Sequence, residues 1–404
     1  MFRTLDIDID PSTWPAPPSL PAFPASFHTG PSTETMSVLG MLLMIGYLTA
    51  PTSLTGFSLS EFWAQLRYLG AFSADADMRL TSAYAGLDAH QKTILSDDFG
   101  MGVPMLWLED RLSLEEIVDG RYFLQYVAAS VSATARRTAK RGPNKSPDFV
   151  ARDTSGVWHV IECKGTQSGD YARQGQISQG TLQKRSIVFP AAYTGQRLVG
   201  ALSIALEGSA FSTSLKITDP PAESHVEAPF EISEDDIAYA KDASIRSVVS
   251  KSLRLAGFEA AAETVSAPFG RSPADRPSKF RRREELRRRI VDERDRLARS
   301  ELDLIEDRPE LHELGPGYRG RRSTVDLPRP ILIGGQRVLR VNLSQGVNDD
   351  LLSQLRERPT IDTLIEDSGV AWRKSSGRTT VSADENRAIM KIGEIFRSEI
   401  VLSE

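Results

Sequence analysis

Ser146-Pro147-Asp148-Phe149-Val150-Ala151-Arg152, Asp153-Thr154-Ser155-Gly156 and Val157-Trp158-His159-Val160-Ile161-Glu162-Cys163-Lys164-Gly165 form the stretch on which the fold turns. Two β-rich runs flank a turn of Asp, Thr, Ser and Gly, the composition of a hairpin. Alternation along a strand puts Glu162 and Lys164 on one face and sends Cys163 to the other, into packing. A neighbouring strand that begins at Asp148 brings its carboxylate beside Glu162. Two carboxylates held together in a partly dry site repel, and leaving them unpaired is costly. A hard divalent cation relieves that cost, because Mg2+ takes one or two carboxylates plus water and phosphate oxygens. Lys164 next to such an ion can orient or help deprotonate an attacking water, or neutralise phosphate charge.

Pro147-Asp148 followed by Glu162-Cys163-Lys164 resembles the signature of the PD-(D/E)xK nuclease superfamily, in its Glu-x-Lys version. The resemblance covers roughly the central third of the chain. It implies an α/β fold: a restriction endonuclease-like core with a mixed central sheet flanked by helices. It further implies Asp148, Glu162 and the backbone carbonyl of Cys163 as metal ligands, with Lys164 as the catalytic lysine. The cofactor implied is Mg2+, with Mn2+ as a substitute, and the reaction is phosphodiester hydrolysis. The resemblance favours DNA as substrate; the residues themselves do not separate DNA from RNA. Members often add an acid from the preceding helix, for which Glu115 is the candidate, although a first-turn acid complementing the helix dipole reads the same way. They also commonly place a Gln or Lys from the following helix near the metal or phosphate, which makes Gln179 the candidate addition to the catalytic set. Many stand-alone bacterial proteins of this kind act in restriction or antiviral defence, and a homo-dimer would cut both strands. Rival readings keep the fold without catalysis, as a DNA-binding or assembly subunit, or keep the nuclease silent until a partner binds.

Around this hairpin, Ser113-Leu114-Glu115-Glu116 has the form of a capping box and predicts a helix running to about Lys140. A basic cluster follows in Arg136, Arg137, Lys140, Arg141 and Lys145, suited to a nucleic-acid backbone. Gly165 to Gly175 reads as a loop over the site, Gln176 to Arg185 as a short helix, and Leu198 to Leu206 and Ser214 to Thr218 as strands. The core is thus expected over residues 96–220.

The remaining regions divide by composition. Residues 1–35 carry seven prolines between Pro11 and Pro31 and read as an extended arm, with Trp14, Phe23 and Phe27 available for docking. Residues 36–95 read as helical, with a buried helix over Met36 to Ala50 and another over Ser58 to Leu69. In 221–265, Ser233 to Asp236 caps an amphipathic helix that stops at Gly257. The 266–324 region is an arginine-rich helix with interleaved acids, exposed and salt-bridged, and then a loop. Residues 325–404 read as a small α+β module: a hairpin through Gly334-Gly335, then helices near Asp349 to Arg358 and Asp384 to Ser398. The arm and the arginine-rich helix are the candidate docking elements for a protein partner.

At 404 residues the chain has ample length for a core, and its formal net charge of −5 means that a nucleic acid must be met by local basic patches. A single cysteine, Cys163, excludes an intramolecular disulfide and a cysteine-rich zinc site, as expected of a reducing cytoplasm. No signal peptide and no membrane span is expected, since the apolar run at Met36 is short and interrupted by Gly40 and Gly46.

Overall fold

Eight of the nine residues of the strand Trp158–Thr166 are buried, the pattern of a strand covered on both faces. It lies inside the main sheet of the protein. The computed structural model describes residues 1–52, 68–131, 146–219, 229–267, 281–333, 336–370 and 377–404. The seven strands of this sheet are β1 (Phe2–Ile9), β2 (Gly30–Ser37), β3 (Leu114–Asp119), β4 (Phe149–Asp153), β5 (Trp158–Thr166), β6 (Thr194–Ser203) and β7 (Ser214–Thr218). Their order is β2-β1-β7-β6-β5-β4-β3. The sheet is mixed: β1 runs parallel to β7 and β5 parallel to β6, and the other neighbours are antiparallel. Among the described residues, helices of eight residues or more are α1 (Val38–Thr49), α2 (Ala89–Leu112), α3 (Gly120–Ser130), α4 (Gly169–Gln183), α5 (Ile237–Ala256), α6 (Glu259–Ser266), α7 (Arg281–Asp303) and α8 (Asp349–Glu357). The protein is therefore mixed α/β, with a central mixed sheet flanked by helices.

Helix α2 packs across β5 and β6 on the face of Ile161 and Cys163, while α3 and α4 cover the face of Val160 and Glu162. A second, antiparallel sheet holds β8 (Leu311–Glu313), β9 (Tyr318–Ile333), β10 (Gln336–Asn348), β11 (Thr379–Ala383), β12 (Arg387–Ile392) and β13 (Phe396–Ser403), in the order β8-β9-β10-β13-β12-β11. One face of it packs on α1 and α5. A single hydrophobic cluster runs through both sheets and the helices between them, from Met1 to Leu402.

Several expectations need correction. Residues 1–35 are not a free arm: β1 and β2 complete one edge of the main sheet, and Trp14, Phe23 and Phe27 pack on one another and on Trp107. Trp14 Nε1 also donates to Gln196 Oε1 at 2.8 Å, so the aromatics dock on their own chain. Ser113 does not begin a helix; it ends α2 in a left-handed conformation at φ 52°, and Leu114–Asp119 is a strand. Glu116 is fully buried and receives Arg152, so it cannot serve as a capping residue. The 165–175 loop is mostly strand and helix, since β5 reaches Thr166 and α4 starts at Gly169. The loop expected after the arginine-rich helix, at Glu306 to Arg322, contains β8 and the start of β9. The helix expected over Asp384 to Ser398 is instead β12 and β13, where burial alternates with period two.

Helices at Val38–Thr49, Ile237–Ala256, Arg281–Asp303 and Asp349–Glu357 stand where expected, and Ser233 and Asp236 form the capping box ahead of α5. Most of the helix expected over Ser58 to Leu69 lies outside the described residues, as do Gly334-Gly335 and all of Arg136, Arg137, Lys140, Arg141 and Lys145. No helix among the described residues is long and apolar enough to cross a membrane.

Candidate active site

The site forms where β4 ends and β5 continues. Phe149 pairs with Ile161, and the next position on β4's side is taken by Asp148, just ahead of the strand. Asp148 accepts the Cys163 N–H at 2.8 Å on Oδ2, and its own N–H donates to Glu162 Oε2 at 3.1 Å. Side chain thus replaces backbone as the partner of β5 at this point. A residue's N–H and C=O leave a strand on the same side, so the Cys163 carbonyl emerges along the edge that β4 has vacated. Its thiol points the other way, into the cluster beneath α2. Lys164 Nζ pairs with Glu162 Oε1, as two residues sharing one face of a strand allow.

Asp148 is fixed from behind. Its carbonyl accepts the Gly120 N–H at 3.0 Å, at the first residue of α3. An ideal Cβ on Gly120 would lie 2.1 Å from Pro147 O, so only glycine admits this approach. Asp119, the last residue of β3, is in turn held by the buried Lys251 of α5 at 2.8 Å.

Burial, and then the adjacent Asp148 charge, push the Glu162 carboxyl up to about 8, against the pull of Lys164. Asp148 is also raised, by burial, with Lys164 and the Cys163 N–H acting against the rise. Burial alone would lower the Lys164 ammonium; the two carboxylates outweigh it and raise its pKa. Near neutral pH the pair therefore keeps a proton between its two members, and Lys164 stays cationic.

The donor set fits a hard divalent ion. It offers two carboxylates and one strand-edge carbonyl, in a place where a retained proton and Lys164 balance the negative charge in the ion's stead. Among the described residues no group of three or more His, Cys, Asp or Glu forms a ready cage. Mg2+ does not need one, because it retains several waters.

The two helical additions fall differently from expectation. Glu115 is turned away, paired with Arg152 at 2.8 Å. A third acid does approach: Asp97 of α2 interacts electrostatically with both Lys164 and Asp148, and burial raises its carboxyl against the pull of Lys164. It gets there because α2 lies almost on the backbone of β5. An ideal Cβ on Gly165 would stand 1.7 Å from Ser96 O, and one on Gly100 would stand 2.5 Å from Gly165 N. The signal in the sequence was Ser96-Asp97-Asp98-Phe99-Gly100, acids one turn ahead of a glycine, but it has meaning only once Gly165 is known to face it.

Gln179 is exposed on α4. Its neighbours do the bonding: Gln176 Nε2 reaches Gly165 O at 3.1 Å and Gln183 Nε2 reaches Ser146 O at 3.4 Å. Between them Gly180 lies over Glu162, 3.1 Å from its Cγ at the ideal Cβ position.

A separate cleft of about 500 Å3 opens at the turn end of the same hairpin, between Leu20–Pro24 and His159. The His159 ring is already committed there. Nδ1 accepts the Gln196 N–H at 3.0 Å, which leaves Nε2–H facing Asp153 at 3.2 Å. It fastens β5 to its neighbours and is not placed as a base, so the candidate chemistry lies at the Asp148 end. No family model, curated protein or solved structure matches this chain.

Proposed function

We propose that this protein is a Mg2+-dependent deoxyribonuclease built on a restriction endonuclease-like core, hydrolysing phosphodiester bonds at Asp148, Glu162 and Lys164. The observation that carries this reading is the meeting of the two carboxylates and one ammonium at the open edge of β5, with Glu162 held up to about 8. Acids raised by burial and by one another, gathered beside a lysine at one strand end, recur at catalytic sites.

Asp148, Glu162 and the Cys163 carbonyl would hold the ion. When bound, Mg2+ supplies Lewis-acid stabilisation of the phosphate and a lowered pKa for water. The chain's own part is positional. Lys164, kept cationic by its neighbours, donates to the attacking water or to a non-bridging phosphate oxygen and offsets charge as it builds. Asp97 at the rim adds its electrostatic pull on Lys164. The fold of α2, β3, α3, the β4–β5 hairpin, α4 and β6 around these groups also supports the core assignment, since it places helices on both faces of a mixed sheet.

Cleavage of plasmid DNA by purified protein, with Mg2+ or with EDTA, tests the proposal. Asp148→Ala and Lys164→Ala are each expected to abolish Mg2+-dependent cutting while far-UV circular dichroism stays that of the wild type. Cutting at the wild-type rate by either variant would remove the site.

A further inference from the structure

The strand alternation of the second sheet leaves one face open, and that face is basic. In β13 the residues alternate buried and half-buried from Phe396 to Ser403, and in β12 Ala388, Met390 and Ile392 are buried while their neighbours are not. The buried set faces α1 and α5. The register aligns the other set across four strands: Arg322 opposite Ser344, Ser344 opposite Glu399, Gly346 opposite Arg397, and Arg397 opposite Lys391. Arg340 and Arg387 share the same face. Against these five cations stand Asp326 and Glu399. Asp326 pairs with Arg340 at 2.7 Å, and Glu399 bridges Arg387 at 2.6 Å and Arg397 at 2.8 Å. Among the described residues Arg322 meets only a hydroxyl, Ser344 Oγ at 3.4 Å, and Lys391 is exposed with no acid placed against it. The hairpin β9–β10 carries six arginines and one aspartate between Tyr318 and Asn348, in a chain whose net charge is −5.

We infer that this open sheet face is a docking surface for double-stranded nucleic acid, held through its phosphates. The inference rests on the surface charge and stands whether or not the Asp148 site cleaves. Three features favour a duplex backbone over other polyanions. First, the charge is localised: in a chain with more acids than bases, this one sheet face carries more cations than acids, which suits a target of dense negative charge. Second, hydroxyl and amide side chains lie between the cations, at Thr324, Asn342, Ser344 and Thr380, and such groups bond phosphate oxygens without reading sequence. Third, Tyr318 is the one Phe, Tyr or Trp ring at the aligned positions, so the face lacks the succession of stacking platforms by which proteins hold a run of unpaired bases. Its apolar members, Ile389 and Val401, are half-buried among the charged residues, so it presents no broad apolar surface to sink into a bilayer.

Equilibrium binding in EDTA tests this without cleavage. A labelled 30-base-pair duplex is titrated against the wild type and against Arg322→Gln/Lys391→Gln, followed by fluorescence anisotropy over a range of salt. Each lost phosphate contact lowers the slope of log K against log[salt] by about 0.9, so the pair is expected to lower it by about 1.8 and to weaken binding by about tenfold or more at low salt. Charge reversal, Arg322→Glu/Lys391→Glu, should weaken it further, and thermal melting checks that both variants remain folded. Unchanged affinity and slope in both variants would overturn the inference. So would equal or tighter binding of a single strand, or of vesicles containing anionic lipid. Because binding in EDTA is read with no cleavage, and cleavage is read in Mg2+ on plasmid DNA, loss of cleavage and loss of docking are separate results.

Discussion

Glu162 is the residue whose state depends most on what stands beside it. Its carboxyl is raised from 4.5 to about 8 in the folded chain. A raised acid stabilises the fold while it is protonated, so that contribution is complete at low pH and disappears as pH climbs through about 8. A divalent ion takes the proton's place. In EDTA the melting temperature is therefore expected to fall between pH 6 and 9, and Mg2+ should restore it at pH 8–9 while doing little at pH 6. An Mg2+ shift of the same size at both pH values would contradict the assigned state of the pair. Asp97 belongs to this scale too. Asp97→Asn is expected to slow Mg2+-dependent cleavage by about 10–100-fold, the usual cost of losing a supporting group around a metal site, with the melting point nearly unchanged. Glu115→Gln should cut like the wild type, because Glu115 serves Arg152. Asp148, Glu162 and Lys164 could be read from the sequence because each is fixed by strand period and one hairpin register. Asp97 could not, since its position depends on two glycines far apart in the chain meeting in space.

At the scale of elements, the legible ones were those whose pattern matched a single period. The hairpin, α1, α5 and α7 announced themselves in that way. Leu114–Asp119 misled because Ser113 and Glu116 imitate a capping box, whereas Ile117-Val118 are β-branched and Glu116 is claimed by Arg152 and Ser244 in the interior. Residues 387–403 misled because two short strands with a tight turn mimic helical spacing over a single window. Helix α5 was expected to be amphipathic, yet 17 of its 20 residues are buried. Its polar side chains are consumed internally. Arg246 pairs with Asp242 at 3.0 Å and donates to the carbonyls of Ile361 and Thr363, each at 3.0 Å, joining the helix to the segment after α8. Arg246→Ala leaves Asp242 uncompensated in the interior and is expected to cost about 3–5 kcal/mol. Chemical denaturation would show this as a lower midpoint; an unchanged midpoint would mean that the buried pair does not tie the two regions together.

For the whole molecule, composition set bounds and contacts set the arrangement. A near-neutral chain with one cysteine was legible as an ordinary folded protein that would need local patches to meet a polyanion. That the proline-rich start supplies two strands of the main sheet, and that the last strands share one hydrophobic cluster with the first, was not. Both facts arise from pairings hundreds of residues apart, which no local period records. They place the Asp148 site and the basic outer sheet on one body, with α5 buried between the layers and its Lys251 gripping the Asp119 that precedes Gly120.

Calorimetric titration of Mn2+ into metal-free protein at pH 8, with wild type beside Glu162→Gln, probes the carboxylate pair most directly. One ion per chain is expected for the wild type, with protons released on binding, and none for the variant at the same concentrations. A wild type that takes up no ion, or a variant that binds as tightly, would mean that Asp148 and Glu162 hold no metal.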